Sequence, residues 1–293
     1  MRRFYIGNQK NEGQKRILIN YADEHYQKAQ RLQTKTAKIA GFTEVIEYGP
    51  EDIEERFRNN NKEIFEYKRG NGLWLWKPYL IKKTLESMED GEILFYCDSG
   101  ACFFRSVDGI ISKLQDQDVW VSALPLKEKQ FTKQQTFSAL NCNTEEYKES
   151  AQISGTFCAF RKSEFSTMFV NEWLQYCCNI EILVPPKSKE EETVYFYEHR
   201  EDQSILSLLA KKYKLKVWSD PSQYGRLPEK YIRSGCEMIY YGDCIGQEDY
   251  SICLIHHRTK NGSKKILLKQ LLCAVLPRKI GLIFISDKTK SKA

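Results

Sequence analysis

The chain contains ten cysteines but not one CxxC pair. That missing spacing removes the usual signature of a zinc ribbon or a thioredoxin-like centre. The opening residues, MRRFYIGNQKNEGQKR, lack the apolar core that an export signal needs. A chain kept inside the cell holds its thiols reduced, so Cys97, Cys158 and Cys253, each within an apolar run, are expected as small buried hydrophobes in a cytoplasmic protein. With only eight prolines and no low-complexity tract, internal repeat or interdomain linker, disordered and fibrous architectures are excluded. Near the C-terminus, KKILLKQLLCAVLPRKIGLIF is rich in apolar residues. Its charges and Pro277 nevertheless interrupt every window long enough to cross a bilayer.

What remains is a globular composition, 41% hydrophobic and 29% charged over 293 residues. A chain of this length buries enough surface to fold without a covalent staple. The net charge of +6 is unevenly spread. Lys260 to Ala293 carries nine basic residues against Asp287, which leaves residues 1–259 at about −2. A nearly neutral body offers no footprint for a phosphate backbone, so nucleic acid is not an expected partner. The economical division is a body over 1–261 and a basic amphipathic tail over 262–293. The tail either lies on an anionic membrane surface, making the protein peripheral on the inner face of the cell membrane, or packs on the body as an ordinary helix.

The first half alternates strands and helices. Arg16–Asn20 and Glu44–Glu47 read as strands, Ala22 to Ala40 as a helix stopped by Gly41, and Pro50–Phe65 as a second helix. Pro78 suits the first turn of another helix, whose Ile81, Leu85 and Met88 form one apolar face. Glu92–Cys97 (EILFYC) is apolar on both faces, as a central strand of a parallel sheet must be. Further strands are expected at Val119–Leu124, Thr156–Phe160, Leu215–Trp218 and Ser251–Ile255, and helices around Ser163–Cys177 and Asp202–Lys214. The pattern predicts a single α/β domain with a mostly parallel sheet sandwiched by helices.

Open α/β sheets bind ligands outside the carboxyl ends of their strands. Asp98, with small Ser99 and Gly100 after it, therefore either points into such a crevice, where its oxygens suit Mg²⁺ or Mn²⁺, or caps a turn.

The stretch RGNGLWLWKPYLI (69–81) followed by GEILFYCDSG (91–100) resembles a group of GT-A glycosyltransferases of bacterial surface-polysaccharide synthesis, which carry WxWKP and then a strand ending in YxDxG. QISGTF (152–157), Glu172-Trp173, HREDQSILSLL (199–209) and IHHRTKN (255–261) resemble later blocks of the same group. The resemblance implies a GT-A fold, a nucleotide-sugar donor, a glycan or lipid-linked acceptor and a divalent cation, Mn²⁺ or Mg²⁺. It implies donor contacts at Tyr21, Trp76, Lys77, Asp98 and Ser99, and acceptor contacts at Gln152, Gly155, His199 and Arg200. Catalytic roles fall on Asp98 and on Asp202, which matches the xED acid and either serves as base or caps its helix. The sequence departs from the GT-A pattern in one place: Asp98-Ser99-Gly100 has only the first acid of DxD. The metal set would then be Asp98 with His256 or His257, of which a strand end turns only one inward. Two rivals stand beside this reading, an inactive glycan-binding module and a sugar-nucleotidyltransferase. The second would need a Gly-rich basic loop where Tyr21-Ala-Asp-Glu-His stands.

Overall fold

The structure, a computed structural model, describes residues 1–6, 14–188, 192–231, 236–239, 250–261 and 263–283. Its strands are β1 (Arg2–Tyr5), β2 (Arg16–Tyr21), β3 (Glu44–Tyr48), β4 (Ile93–Cys97), β5 (Ala101–Phe103), β6 (Val119–Lys127), β7 (Ala151–Ile153), β8 (Phe157–Arg161), β9 (Val217–Trp218) and β10 (Leu254–His256). The helices longer than ten residues are α1 (Gln27–Ala40), α2 (Trp76–Glu86), α3 (Glu164–Cys177), α4 (Glu201–Lys212) and α5 (Lys264–Val275).

Eight strands form one sheet in the order β1-β3-β2-β4-β8-β6-β7, with β9 beside β6, while β10 pairs with β5 alone. β3, β2 and β4 run parallel. β8 is antiparallel to both β4 and β6, which returns β6 and its parallel partner β9 to the direction of β4. Five of these eight strands thus share one direction, the mostly parallel α/β sheet that the sequence predicts.

Alternation along the strands explains the two-layered core. Ile17, Ile19, Leu94 and Tyr96 face a cluster with Leu80 and Ile81 of α2, Trp173 of α3 and Leu208 of α4. Leu18, Phe95 and Cys97 face the other way, against Ala37 and Ala40 of α1 and Phe103 of β5. Every residue of β4 is buried, because helices cover both faces.

Several boundaries differ from expectation. The first helix begins at Gln27, since Asp23 Oδ1 accepts the amides of His25 and Tyr26 and holds residues 23–26 in a turn. Its end is as expected, with Gly41 at φ 87°. The expected helix over Pro50–Phe65 is a 3₁₀ turn, Pro50–Asp52, and two short helices, Glu55–Asn60 and Lys62–Phe65. Glu55–Asn60 buries no residue, so no apolar stripe holds the pieces in register. β1, β5 and β7, of three or four residues each, are too short for periodicity to reveal. All nine described cysteines are free thiols, with Cys97, Cys158 and Cys253 buried; Cys244 and the last ten tail residues lie outside the described residues. Among the described residues no helix is long and apolar enough to cross a membrane.

Candidate active site

Parallel pairing of β2 with β4, Ile19 opposite Tyr96, brings Tyr21 and Asp98 to the same sheet edge. There they line a cleft of about 650 Å³. The floor is tied together by short bonds. Tyr96 Oη donates to Asp98 Oδ1 at 2.5 Å, Ser99 Oγ to the Tyr21 carbonyl at 2.6 Å, and Gln33 Nε2 of α1 to the Asp98 carbonyl at 2.7 Å. The Tyr21 ring stacks on Trp76 at 3.8 Å, and its burial pushes the phenol up to about 12.

Asp202 enters from the first turn of α4, whose free N–H groups favour a carboxylate. Trp173 of α3 fixes that turn by donating to the Asp202 carbonyl at 2.9 Å. Below it lies Lys77 of α2, whose Nζ is 2.8 Å from Asp202 Oδ2; both side chains are only 4% exposed. Lys77 also donates to the Gly155 carbonyl at 3.0 Å and sits 5.3 Å from the Tyr96 ring centroid. Burial is the largest influence on its ammonium and favours loss of the proton, but Asp202 and Asp98 outweigh it and hold Lys77 charged. Burial pushes Asp202 up to about 6, against the pull of Lys77. Glu201, beside it, is pushed by burial to about 7 although Arg69 reaches it at 2.7 Å. The cleft therefore holds two carboxyls that titrate near neutrality, a feature of proton-transfer sites.

The opposite wall is basic. Lys230, Arg258 and Lys260 line the cleft, and the Tyr224 ring contacts two of them, its centroid 4.8 Å from the Arg258 guanidinium and 5.7 Å from Lys230 Nζ. Sequence reasoning missed these three. Two of them, Arg258 and Lys260, stand in the segment HHRTK, whereas Lys230 has no such signal. His256 lines the cleft, and burial holds its ring near 4, hence neutral and able to offer a lone pair.

Backbone strain gathers at the same place. Residues 70 to 74 form a left-handed turn, with φ of 59°, 52°, 89°, 53° and 59°. Such φ values cost a non-glycine residue of order 1–2 kcal/mol. Trp76 Nε1 ties the turn by donating to the Gly70 carbonyl at 2.8 Å, and Asn71 Nδ2 reaches Asp23 at 3.1 Å. Among the described residues seven non-glycines have positive φ, and four of these, Asn71, Trp74, Glu201 and Arg258, line the cleft.

Three of the residues expected at the acceptor, and one of the two histidines of which a single one was expected to turn inward, lie outside the cleft lining. Gln152 is fully buried behind the wall, its Oε1 accepting from Arg200 at 3.0 Å and Gln203 at 3.0 Å. Gly155 offers its carbonyl inward to Lys77 and its amide to Gln203, not to the cleft. His199 is buried with both ring nitrogens engaged, by the Lys133 amide and the Ile182 carbonyl. His257 faces away from the cleft, its Nδ1 3.0 Å from Thr259 Oγ1, because successive residues at a strand end point oppositely. Arg200, Trp76, Lys77 and Ser99 do reach the cleft.

Asp98 and His256 share the cleft, but among the described residues no three His, Cys, Asp or Glu side chains converge to hold a metal ion. One carboxylate and one neutral imidazole fit a divalent cation whose remaining ligands are diphosphate oxygens and water. They do not make a cage by themselves.

No protein-family model matches the chain, and no curated protein matches its sequence. Solved structures similar to it include glycosyltransferases at low identity. Mouse xyloside xylosyltransferase 1 in its apo form has a TM-score of 0.44 at 9% identity, covering 85% of this chain and 99% of its own. The galactosyltransferase LgtC in complex with donor and acceptor sugar analogues has 0.42 at 13%, covering 90% and 98%. The glycosyltransferase GlyE of Streptococcus pneumoniae TIGR4 has 0.43 at 9%, covering 92% and 63%.

Proposed function

We propose that this chain is a glycosyltransferase that moves a hexose-type sugar from a nucleoside-diphosphate donor to a hydroxyl of a lipid-linked or oligosaccharide acceptor in surface-polysaccharide synthesis. The observation that carries this reading is a single cleft with a basic wall at Lys230, Arg258 and Lys260 and, across from it, the buried pair Lys77–Asp202 beside Asp98. A diphosphate leaving group needs the first, and an acceptor hydroxyl that must lose a proton needs the second.

In an inverting transfer, the acceptor O–H gives its proton to Asp202 while its oxygen bonds the anomeric carbon. The bond from that carbon to the diphosphate breaks, and the electron pair leaves with the diphosphate toward the basic wall. In a retaining transfer Asp202 orients the hydroxyl instead. Lys77, at the cleft lining with only 4% of its side chain exposed, keeps the carboxylate in place. Tyr21 and Trp76, already stacked on each other, offer a flat apolar edge to the donor. A divalent cation held by Asp98 and His256 would add charge neutralisation at the diphosphate. The body is assigned to 1–261 and the tail, over 262–293, to reversible attachment at an anionic membrane surface.

A thermal-shift panel of nucleotide sugars tests the donor reading, because a bound ligand raises Tm by mass action. We expect one nucleoside diphosphate sugar to raise Tm and to be slowly hydrolysed with Mn²⁺. Binding of glycans with no response to any donor would leave the inactive binding module as the better account.

A further inference from the structure

The tail helix is built into the donor-facing wall. Gln270 of α5 places Oε1 3.1 Å from Gln223 Nε2 and 2.8 Å from Lys230 Nζ, accepting from both. Gln223 is fully buried and clasps the His256 main chain from both sides. Its Nε2 donates to the His256 carbonyl at 2.7 Å, and its Oε1 accepts the His256 amide at 3.0 Å. One turn further along α5, the Ala274 carbonyl accepts from Arg226 Nη1 at 2.7 Å. Residues four apart lie on one helix face, so α5 grips the Gln223–Tyr231 segment at two points. That segment carries Tyr224, whose ring contacts both Lys230 and Arg258.

We infer that Gln270 is a positioning residue for diphosphate recognition: through Gln223 and Lys230 it holds His256 and the basic wall in the geometry that the donor meets. The inference rests on the donor reading above and adds to it that the C-terminal helix belongs to the site. The physical reason lies in lysine itself. A flexible four-carbon stem is entropically costly to immobilise at the moment of binding. An acceptor that already orders Lys230 in the free protein removes that cost in advance.

Full-length variants test this with a panel of UDP, GDP, dTDP and ADP, read by calorimetry. Gln270→Leu keeps the bulk and removes the acceptor, and it is expected to weaken nucleoside-diphosphate binding about tenfold with Tm within a few degrees of wild type. Gln270→Glu retains an acceptor oxygen for both bonds but adds a negative charge beside Lys230, so it is expected to keep wild-type hydrogen exchange in residues 223–231 while weakening diphosphate binding. Leu268→Ser, on the exposed side of the same helix, is the control and should change nothing. Wild-type affinity in Gln270→Leu, or exchange in Gln270→Glu as fast as in Gln270→Leu, overturns the inference. Amide hydrogen exchange supplies a readout that needs no ligand: Gln270→Leu should speed exchange at the His256 amide and in residues 223–231 and leave the β4 core unchanged. Should wild type bind none of the diphosphates, the donor reading fails and exchange alone decides the positioning role. Unchanged exchange then overturns it.

Discussion

At the scale of single residues, the cleft brings together the carboxyls of Asp98, Glu201 and Asp202. Asp98 is held by Tyr96 and sits at the carboxyl end of β4, so Asp98→Asn keeps shape and loses charge. Donor turnover should fall at least ~100-fold with folding intact, as single-turnover kinetics would show. Asp202→Asn should lower transfer ~10²–10⁴-fold, the usual worth of general-base assistance, while donor affinity stays within a few fold. Because burial places Asp202 near 6, wild-type kcat/KM should rise as pH increases through about 6 and be lost below it. Glu201 gives a stability signature of its own. Burial raises its folded pKa to about 7, so its favourable contribution is complete below the unfolded value and is lost as pH rises through 7. Glu201→Gln has no such titration. Its Tm relative to wild type should therefore climb by about 3–6 °C between pH 5 and pH 8, measured by calorimetry. A flat difference would show that Arg69 compensates the buried charge fully.

Among elements, the left-handed turn at 70–74 and the first turn of α4 do most to shape the cleft. Gly72 has φ 89°, and a Cβ there would meet Phe65 Cδ1 at 2.6 Å. Gly72→Ala should cost about 1–3 kcal/mol in chemical denaturation and displace Trp76 from Tyr21, visible as a change in tryptophan fluorescence. Part of this was legible beforehand. Two glycines two apart ahead of WLWKP announce a loop, and Pro78 announces the helix that follows. Five successive positive φ values were not legible, because Asn71, Leu73 and Trp74 adopt them only while Trp76 and Asp23 hold the turn from outside.

For the whole molecule, the uneven charge and the tail meet. Cys273 and Ala274 of α5 are buried against the body, whereas Leu268, Ile280 and Ile283 are 57%, 44% and 66% exposed, with Lys264, Lys265, Arg278 and Lys279 exposed nearby. Each basic group near an anionic bilayer contributes ~1 kcal/mol, so four suffice for reversible association. The full-length protein should co-sediment with phosphatidylserine vesicles at low salt. It should be released in high salt, since exposed charges are screened over ~8 Å at physiological ionic strength. Sedimentation with neutral vesicles alone, or none at all, would leave the tail with only its packing role. Of α5, one face packs on the body and the other is exposed, and the vesicle experiment decides whether the exposed face meets a membrane.

The sequence by itself determined the α/β class, the strand that ends in Asp98 and the helix that begins at Glu201-Asp202. These follow from local causes: an unbroken apolar run, a Gly41 stop, and acids at a helix start. Only tertiary structure decided what those residues face. Lys77 reads in sequence as a donor contact ahead of a helix, yet it is Asp202, 125 positions later, that meets it, because α2 and α4 pack on the same face of the sheet. The resemblance implies acceptor contacts at Gln152 and His199, whereas in the structure both are buried partners of neighbouring polar groups. The basic wall and its link to Gln270 require β5–β10 pairing and the docking of α5, neither of which has a short-range signal. Local patterning fixes which face of an element is apolar. Which polar groups finally meet is set by long-range packing, where a buried charge persists only if a distant partner satisfies it.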